Sequence, residues 1–283
     1  MKESKNAVVT GASTGIGYAT CKELNKQGFT VFATVRRDED AKRLRTELGA
    51  MTVPVIMDVT DHGSIARALA QISKEIGQSG IHALINNAGI AVSGPLLHIP
   101  IDEVKHQFDV NVIGLVRTIQ LFAPLLGARE NHPVKPGRII NISSVSGKIG
   151  MPFVGPYTGS KHALEGISQS LRRELMLYGI DVIVIGPGAI KTPIWGKSTM
   201  MDKYSDTDYK RPLERFMKNF VKPAIEKAIE VDVVAEMIGR VVKSDHPKTR
   251  YAIMSQKIKN YILPKMLPER MVNRIIAKAL KMV

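Results

Sequence analysis

Cysteine is nearly missing from this 283-residue chain, where Cys21 stands alone. One thiol cannot form an internal disulfide, and a thiolate metal site needs several. The seven histidines show no H-E-x-x-H or other paired ligand spacing, so no metal centre is expected. Aromatic residues make up only 5% of the chain, and no helix-turn-helix, finger or RNA-binding motif is present. Nucleic acid is therefore not the expected partner, although the formal net charge is +14. That excess of lysine and arginine suits an acidic membrane surface or a polyanionic ligand equally well. No apolar run of signal-peptide length precedes the first apolar strand, and no uninterrupted apolar stretch is long enough to span a bilayer. A cytoplasmic location is the expectation.

What the chain does contain is alternation. Short apolar runs read as strands at 7–10, 30–35, 53–59, 82–87, 138–143, 181–186 and 250–254, and amphipathic helical patterns fill the gaps. Strands that are apolar throughout are covered on both faces. The fold class is α/β, a single Rossmann-like doubly wound parallel sheet of about seven strands with helices on both faces, spanning 1–283. Two parts break the rhythm: a polar, Met- and Lys-rich segment at 190–231, and a basic extension at 255–283. "NIS" at Asn141 matches a glycosylation sequon but falls in an expected buried strand.

The first strand ends in "TGASTGIG" and a helical pattern follows at once. Gly11, Gly15 and Gly17 let backbone approach a pyrophosphate at a helix N-terminus, where free N–H groups and the dipole favour anions. Ser13, Thr14 and Ile16 complete this candidate cofactor turn. The second strand ends at Val35, where an NAD-selective site offers an acid, and runs into Arg36 and Arg37. An arginine there accommodates a 2′-phosphate, so NADP(H) is expected over NAD. Asp38 in a shifted loop is the route by which NAD would still fit.

"GPYTGSKHALEG" places Tyr157 four residues before Lys161, yet Tyr18–Lys22 and Tyr261–Lys265 have the same spacing. The spacing alone carries little. With the glycine turn, "DV" at Asp58–Val59, "NNAG" at Asn86–Gly89, Asn111 in "NVIG", Ser143–Ser144 and "PG" at Pro187–Gly188 in order, the chain resembles the short-chain dehydrogenase/reductase family from Ala7 to about Thr192. The resemblance implies that Asp58 and Val59 hold the adenine, and that Asn87, Ala88 and Gly89 lie along its ribose. It implies that Pro187, Gly188, Ile190 and Thr192 fix the nicotinamide end. Read locally, Asp58 could equally begin a turn and "NNAG" could be a bare strand end.

The reaction so implied is hydride exchange between nicotinamide and a carbonyl or alcohol carbon. A tyrosine of ordinary pKa, about 10, exchanges protons poorly near neutrality, and a cation close by favours its phenolate. Lys161 shares a helix face with Tyr157 and is assigned that task, along with holding the ribose. Ser144 is the expected hydroxyl donor to the substrate oxygen, with Ser143 the adjacent alternative on the other face of the strand. Asn111 is expected on the preceding long helix, holding a water that links Lys161 to solvent; a helix-kink amide is its other reading. Pro264 is expected to break the face shared by Tyr261 and Lys265.

The segment 190–231, with Trp195, Met200, Met201, Tyr204, Tyr209, Phe216 and Met217, reads as a lid over a hydrophobic substrate, or as a surface packed on a sister subunit. In the tail, with Pro268 near helix position N1, Arg270, Arg274, Lys278 and Lys281 fall within roughly a quarter of a helix circumference. Met271, Val272, Ile275, Ile276, Ala279, Leu280 and Val283 occupy the other side. Such a helix suits an anionic membrane surface, a partner groove, or docking on its own or a sister subunit. The reading is an NADP(H)-dependent carbonyl reductase or alcohol dehydrogenase for a hydrophobic ketone, aldehyde or secondary alcohol, lipid-, retinoid- or steroid-like. A 3-ketoacyl-carrier reductase and a non-catalytic dinucleotide-binding sensor are the alternatives. A homodimer or homotetramer is expected.

Overall fold

The computed structural model describes residues 5–130, 132, 135–192 and 200–283. It opens with β1 (Asn6–Val9), α1 (Gly15–Lys26), β2 (Thr30–Val35), α2 (Asp38–Leu48), β3 (Thr52–Ile56), α3 (His62–Ile76) and β4 (Ala83–Asn86). Next come α4 (Ile101–Phe108), α5 (Gly114–Phe122), β5 (Arg138–Ile142), α6 (Gly155–Glu174) and β6 (Asp181–Pro187). Then follow α7 (Met200–Lys203), α8 (Lys210–Phe216), α9 (Lys222–Glu226), α10 (Val231–Lys243), β7 (Arg250–Ile253), α11 (Leu263–Met266) and α12 (Glu269–Leu280).

All seven strands run parallel in the order β3-β2-β1-β4-β5-β6-β7. Period-two alternation sorts side chains to two apolar layers. Along β1, Ala7 and Val9 face Leu24 of α1, Leu44 of α2 and Ile238 of α10, whereas Val8 faces Ile65 of α3, Ile119 of α5 and Leu164 of α6. Helices thus cover both faces, as the apolar runs require.

Strand ends differ from the sequence reading mainly at β3, which stops at Ile56 rather than 59. Met57 still donates its N–H to the Val35 carbonyl at 2.8 Å, but the chain turns off the ladder at Asp58, whose Oδ1 accepts from Thr60 N at 2.9 Å and Thr60 Oγ1 at 2.7 Å, and buried Val59 lies beyond it. A third apolar cluster lies apart from the sheet. It joins Ile99, Phe153, Tyr204, Leu213 and Phe216 with Leu280 of α12, and Ile276 packs against it. The segment read as a lid is thus helical and packed on its own chain over much of its length. Trp195 lies outside the described residues.

Pro268 stands next to helix position N1, as read from the sequence, at the N-cap of α12. The tail needs one correction. Pro264 does not break the face of Tyr261 and Lys265: a π-helical turn at Ile258–Ile262 leads straight into α11, and Lys265 Nζ sits 4.9 Å from the Tyr261 ring centre. Pro264 stands in the first turn of α11, where the missing N–H costs least.

Candidate functional site

Strand order reverses between β1 and β4, which opens a crevice at the carboxyl ends of the strands, the usual ligand position in such sheets. The glycine turn fills its floor. Gly11 has φ +63°, and a Cβ there would lie 2.9 Å from Ala88 Cα. A Cβ on Gly17 would meet the Gly11 carbonyl and come within 2.6 Å of Asn87 Nδ2. Only glycine fits at these points. Thr14 precedes α1 without capping it through its side chain, so the first-turn N–H groups face the crevice without a side-chain acceptor from that residue.

Thr10, which the sequence reading did not single out, braces this floor. Its hydroxyl accepts from the N–H groups of Asn87 and Ala88, both at 2.9 Å. Asn87 Nδ2 in turn donates to the carbonyls of Thr10 and Gly11, both at 2.9 Å. The Asn87 amide therefore turns inward and holds the turn together. Gly89 lies beside Asn111 and Lys161: a Cβ there would stand 3.3 Å from Asn111 Oδ1 and 3.7 Å from Lys161 Nζ.

At the end of β2, Val35 is buried and Arg36, Arg37 and Asp38 are exposed. Arg37 Nε is tied to Asp40 at 3.0 Å, and Arg43 joins Asp40 at 3.2 Å while donating to the Ser13 carbonyl at 2.6 Å. These arginines hold the Asp40 carboxyl below its ordinary range, Arg37 most strongly. Arg43 is a second residue the sequence reading missed; it looks like any helix-surface cation until the fold brings it to the turn. Asp58 serves the turn into α3: burial pushes its carboxyl up, but the Thr60 hydrogen bonds and nearby Arg36 bring it below the usual range. Its neighbour Val59 is buried.

On the other side of the crevice, β5 ends at Ile142 and runs into Ser143 and Ser144. The Ser144 hydroxyl accepts from Ser146 N at 3.1 Å and donates to the Pro187 carbonyl at 3.4 Å, and it lies near enough to Tyr157 to draw the phenol's pKa down. Ser143 makes no such approach; its hydroxyl reaches only the Ser144 carbonyl, at 3.5 Å. Tyr157 and Lys161 stand on the first turns of α6. Lys161 is buried and donates to the Ile142 carbonyl at 2.8 Å, with Nζ 5.8 Å from the Tyr157 ring centre.

The expected acidification of Tyr157 by Lys161 is not what this arrangement produces. Burial pushes the Tyr157 phenol above its ordinary value, and the Ser144 hydroxyl opposes that only in part. Lys161 is itself drawn down to about 8 by burial, with Glu165 pulling the other way. Its ammonium faces the Ile142 carbonyl, not the phenolic oxygen.

Asn111 lies in a π-helical turn, Asp109–Ile113, that joins α4 to α5. Its Oδ1 accepts from Ile90 N at 2.9 Å, and Nδ2 donates to the Ile90 carbonyl and to Ser160 Oγ, both at 3.0 Å. Both amide donors are taken by Ile90 and Ser160, outside its own helix, which leaves the backbone of the turn, not those donors, to meet a water. At the far end, Gly188 N donates to the Ile253 carbonyl at 2.9 Å and Ile190 pairs with Ile229. Pro187 ends β6. Thr192 closes back on the glycine turn, its Cγ2 3.3 Å from the position of a Cβ on Gly15. The structure thus gathers the expected residues around one crevice, with the side chains of Asn87 and Asp58 engaged in bracing it.

The short chain dehydrogenase family model matches residues 5–203. The chain is 39% identical to the NADPH-dependent 3-dehydrocapnine reductase of Ornithobacterium rhinotracheale, over 97% of each chain. It is 30% identical to retinol dehydrogenase 7 of Rattus norvegicus, over 88% of this chain and 80% of that one. Among solved structures, an actinorhodin polyketide ketoreductase variant with NADPH superposes with a TM-score of 0.77 at 27% identity, covering 92% of this chain and 99% of the other.

Proposed function

This chain belongs to the short-chain dehydrogenase family and is an oxidoreductase of that family, and we propose that it reduces a lipophilic ketone with NADPH or, in reverse, oxidises the matching secondary alcohol. The observation that carries the reading is the convergence of Tyr157, the Ser144 hydroxyl and buried Lys161 at the same strand ends as the glycine turn. The turn suits a dinucleotide phosphate, since backbone lies where Cβ atoms of Gly11 and Gly17 would be. Val35 followed by Arg36 favours a 2′-phosphate over a bare ribose. The reductase from O. rhinotracheale is also NADPH-dependent.

When bound, the cofactor supplies the hydride. Burial raises the Tyr157 pKa and so keeps the phenol protonated at neutral pH, which leaves a proton there to give to the oxygen of a ketone becoming an alkoxide, provided the phenolate is stabilised as it forms. Ser144 offers a second hydrogen bond to the same oxygen. Lys161, protonated below about pH 8, does not acidify the resting phenol, but its charge 5.8 Å from the Tyr157 ring centre favours the phenolate once negative charge develops there. Asn111 fixes the Ile90 backbone and Ser160, and so the wall that faces Lys161.

Lipophilicity of the substrate is supported by the apolar cluster of Val92, Met151, Phe153 and Tyr204, and by the substrates in the relatives' names, 3-dehydrocapnine and retinol. The tail supports it too. On α12, Ile276 and Leu280 face inward, while Met271 and Ile275 remain 48% and 54% exposed next to Arg270, Arg274 and Lys278. We read that outer face as a peripheral contact for anionic lipid of an enzyme that is otherwise cytoplasmic. A homodimer or homotetramer is part of the same reading.

NADPH oxidation is to be followed with 3-dehydrocapnine, retinal and long-chain ketones. Tyr157→Phe is expected to cut turnover by about a thousandfold or more while NADPH affinity stays within about twofold. Wild-type turnover in that variant would remove the assignment. Silence with every ketone despite tight NADPH binding would favour a non-catalytic dinucleotide sensor, and turnover restricted to carrier-bound ketones a 3-ketoacyl-carrier reductase.

A further inference from the structure

A second ionic assembly lies directly behind the proposed proton-transfer pair, and nothing in the reaction so far uses it. Arg250, the first residue of β7, reaches three ways. Its Nε donates to both carboxylate oxygens of Glu165 at 2.9 and 3.0 Å. One terminal nitrogen donates to the Tyr261 hydroxyl at 3.0 Å, and the other approaches the Ser144 carbonyl at 3.3 Å. Glu165 is buried one helical turn beyond Lys161 and also pairs with Lys148 at 3.4 Å. Tyr261 is buried as well, in the π-helical turn that precedes α11.

Space for this assembly is kept open by glycine. A Cβ on Gly186 would stand 2.6 Å from an Arg250 terminal nitrogen, and one on Gly147 would stand 3.0 Å from Glu165 Cγ. The guanidinium therefore links four pieces of chain: the tail, β7, α6 just past Lys161, and the residue whose hydroxyl meets Tyr157. A planar fork that satisfies three acceptors at fixed angles does something a simple ion pair cannot, because it defines where each acceptor sits.

We propose that Arg250 is a positioning residue whose guanidinium, braced by Glu165 and Tyr261, holds the Ser144 backbone so that the Ser144 hydroxyl stays aligned with Tyr157 and Lys161. The carboxyl-terminal segment is thereby part of the active-site frame. The consequence for the reaction rests on the function proposed above; the clamp itself does not.

Two variants test it. Arg250→Lys keeps a cation against Glu165 but loses the fork, and Tyr261→Phe removes one hydroxyl and nothing else. Each is measured by amide hydrogen exchange over residues 143–148, by thermal melting, and by kcat and KM for NADPH and ketone. For Arg250→Lys the expected result is faster exchange at 143–148, a melting temperature close to wild type, kcat lower by about ten- to a hundredfold, and KM for NADPH within about twofold. Tyr261→Phe is expected to move in the same direction by less, and it decides the matter alone if Arg250→Lys does not fold. Unchanged exchange at 143–148, or wild-type kcat, would overturn the proposal. So would a fall in kcat matched by equal losses of NADPH affinity and melting temperature, which marks a merely structural role. Should wild-type enzyme oxidise no NADPH with any ketone, the functional reading falls while the exchange measurements still judge the clamp.

Discussion

Replacing Ser144 by alanine separates the two adjacent serines. The Ser144 hydroxyl accepts from Ser146 N and lies beside Tyr157, while its approach to the Pro187 carbonyl is long at 3.4 Å. A bond of that length is weak, so the hydroxyl proton can turn to an incoming oxygen. Ser144→Ala leaves Ser146 N without this acceptor, a loss of about 1 kcal/mol that a fold stable by roughly 5–15 kcal/mol tolerates. The loss in the reaction is larger. A preorganised donor to a developing oxyanion contributes a factor of about 10² to 10³, or about 3–4 kcal/mol of barrier. The same change removes the hydroxyl that lowers the Tyr157 pKa, so the phenol rises further and gives up its proton less readily.

Ser143→Ala is the matched control. Its hydroxyl has only the 3.5 Å approach to the Ser144 carbonyl, so kcat should stay within about tenfold of wild type. Steady-state rates of NADPH oxidation, with NADPH binding followed by fluorescence, provide the assay. NADPH affinity should change little in either variant, since both serines lie across the crevice from the glycine turn. Equal losses in the two variants, or more than about a tenth of wild-type kcat in Ser144→Ala, would refute the reasoning.

Gly17→Ala drives a methyl against the Gly11 carbonyl and within 2.6 Å of Asn87 Nδ2, so NADPH binding should be lost and stability should fall by about 1–3 kcal/mol, read by fluorescence and melting. Arg36→Gln should raise KM for NADPH by about tenfold or more while leaving NADH unaffected; Arg37→Gln should do less, because Arg37 is already tied to Asp40. The profile of kcat/KM for ketone reduction should fall as pH rises through about 8, where Lys161 loses the charge that favours the phenolate, and a Lys161→Met variant should lack that inflection. Ile275→Glu should weaken sedimentation with anionic vesicles, and added salt should weaken it in the unaltered protein.

The sheet was legible because parallel strands buried on both faces read as unbroken apolar runs. The bounds of β2 agree with the sequence reading because the apolar run gives way to charge at Arg36 as the ladder ends. β3 was overrun for a physical reason: hydrophobicity reports burial, and Val59 is buried beyond the last ladder bond, from Met57 N to the Val35 carbonyl. The glycines were legible because their requirement is steric and local. The direction of the Asn87 amide was not, since it depends on carbonyls about 76 residues away in sequence. Thr10, Arg43 and Arg250 share that difficulty; their partners come from distant segments, and no spacing marks them. The π-helical turn at Asn111 and the one before Pro264 were equally hidden, because an extra residue in a helix leaves its apolar period only slightly altered.

The alignment of the proposed proton-transfer groups follows from the register of one central strand. β5 is paired on both sides, Asn86 with Asn141 and Asn141 with Val184, and the ladder continues past its end as Ser143 N donates to the Ile185 carbonyl at 2.7 Å. Inside the strand, Asn141 is wholly buried and bonded to Asn86 and Ser168, which pins the register with polar partners as well as apolar ones. A slip of one residue would send every β5 side chain to the opposite face and exchange Ser144 for Ser143. It would also move the Ile142 carbonyl that holds Lys161. One strand end therefore sets both the hydroxyl that meets Tyr157 and the carbonyl that seats the lysine. The Arg250 contact falls on the next residue along, where the ladder gives out and a side chain takes over its work.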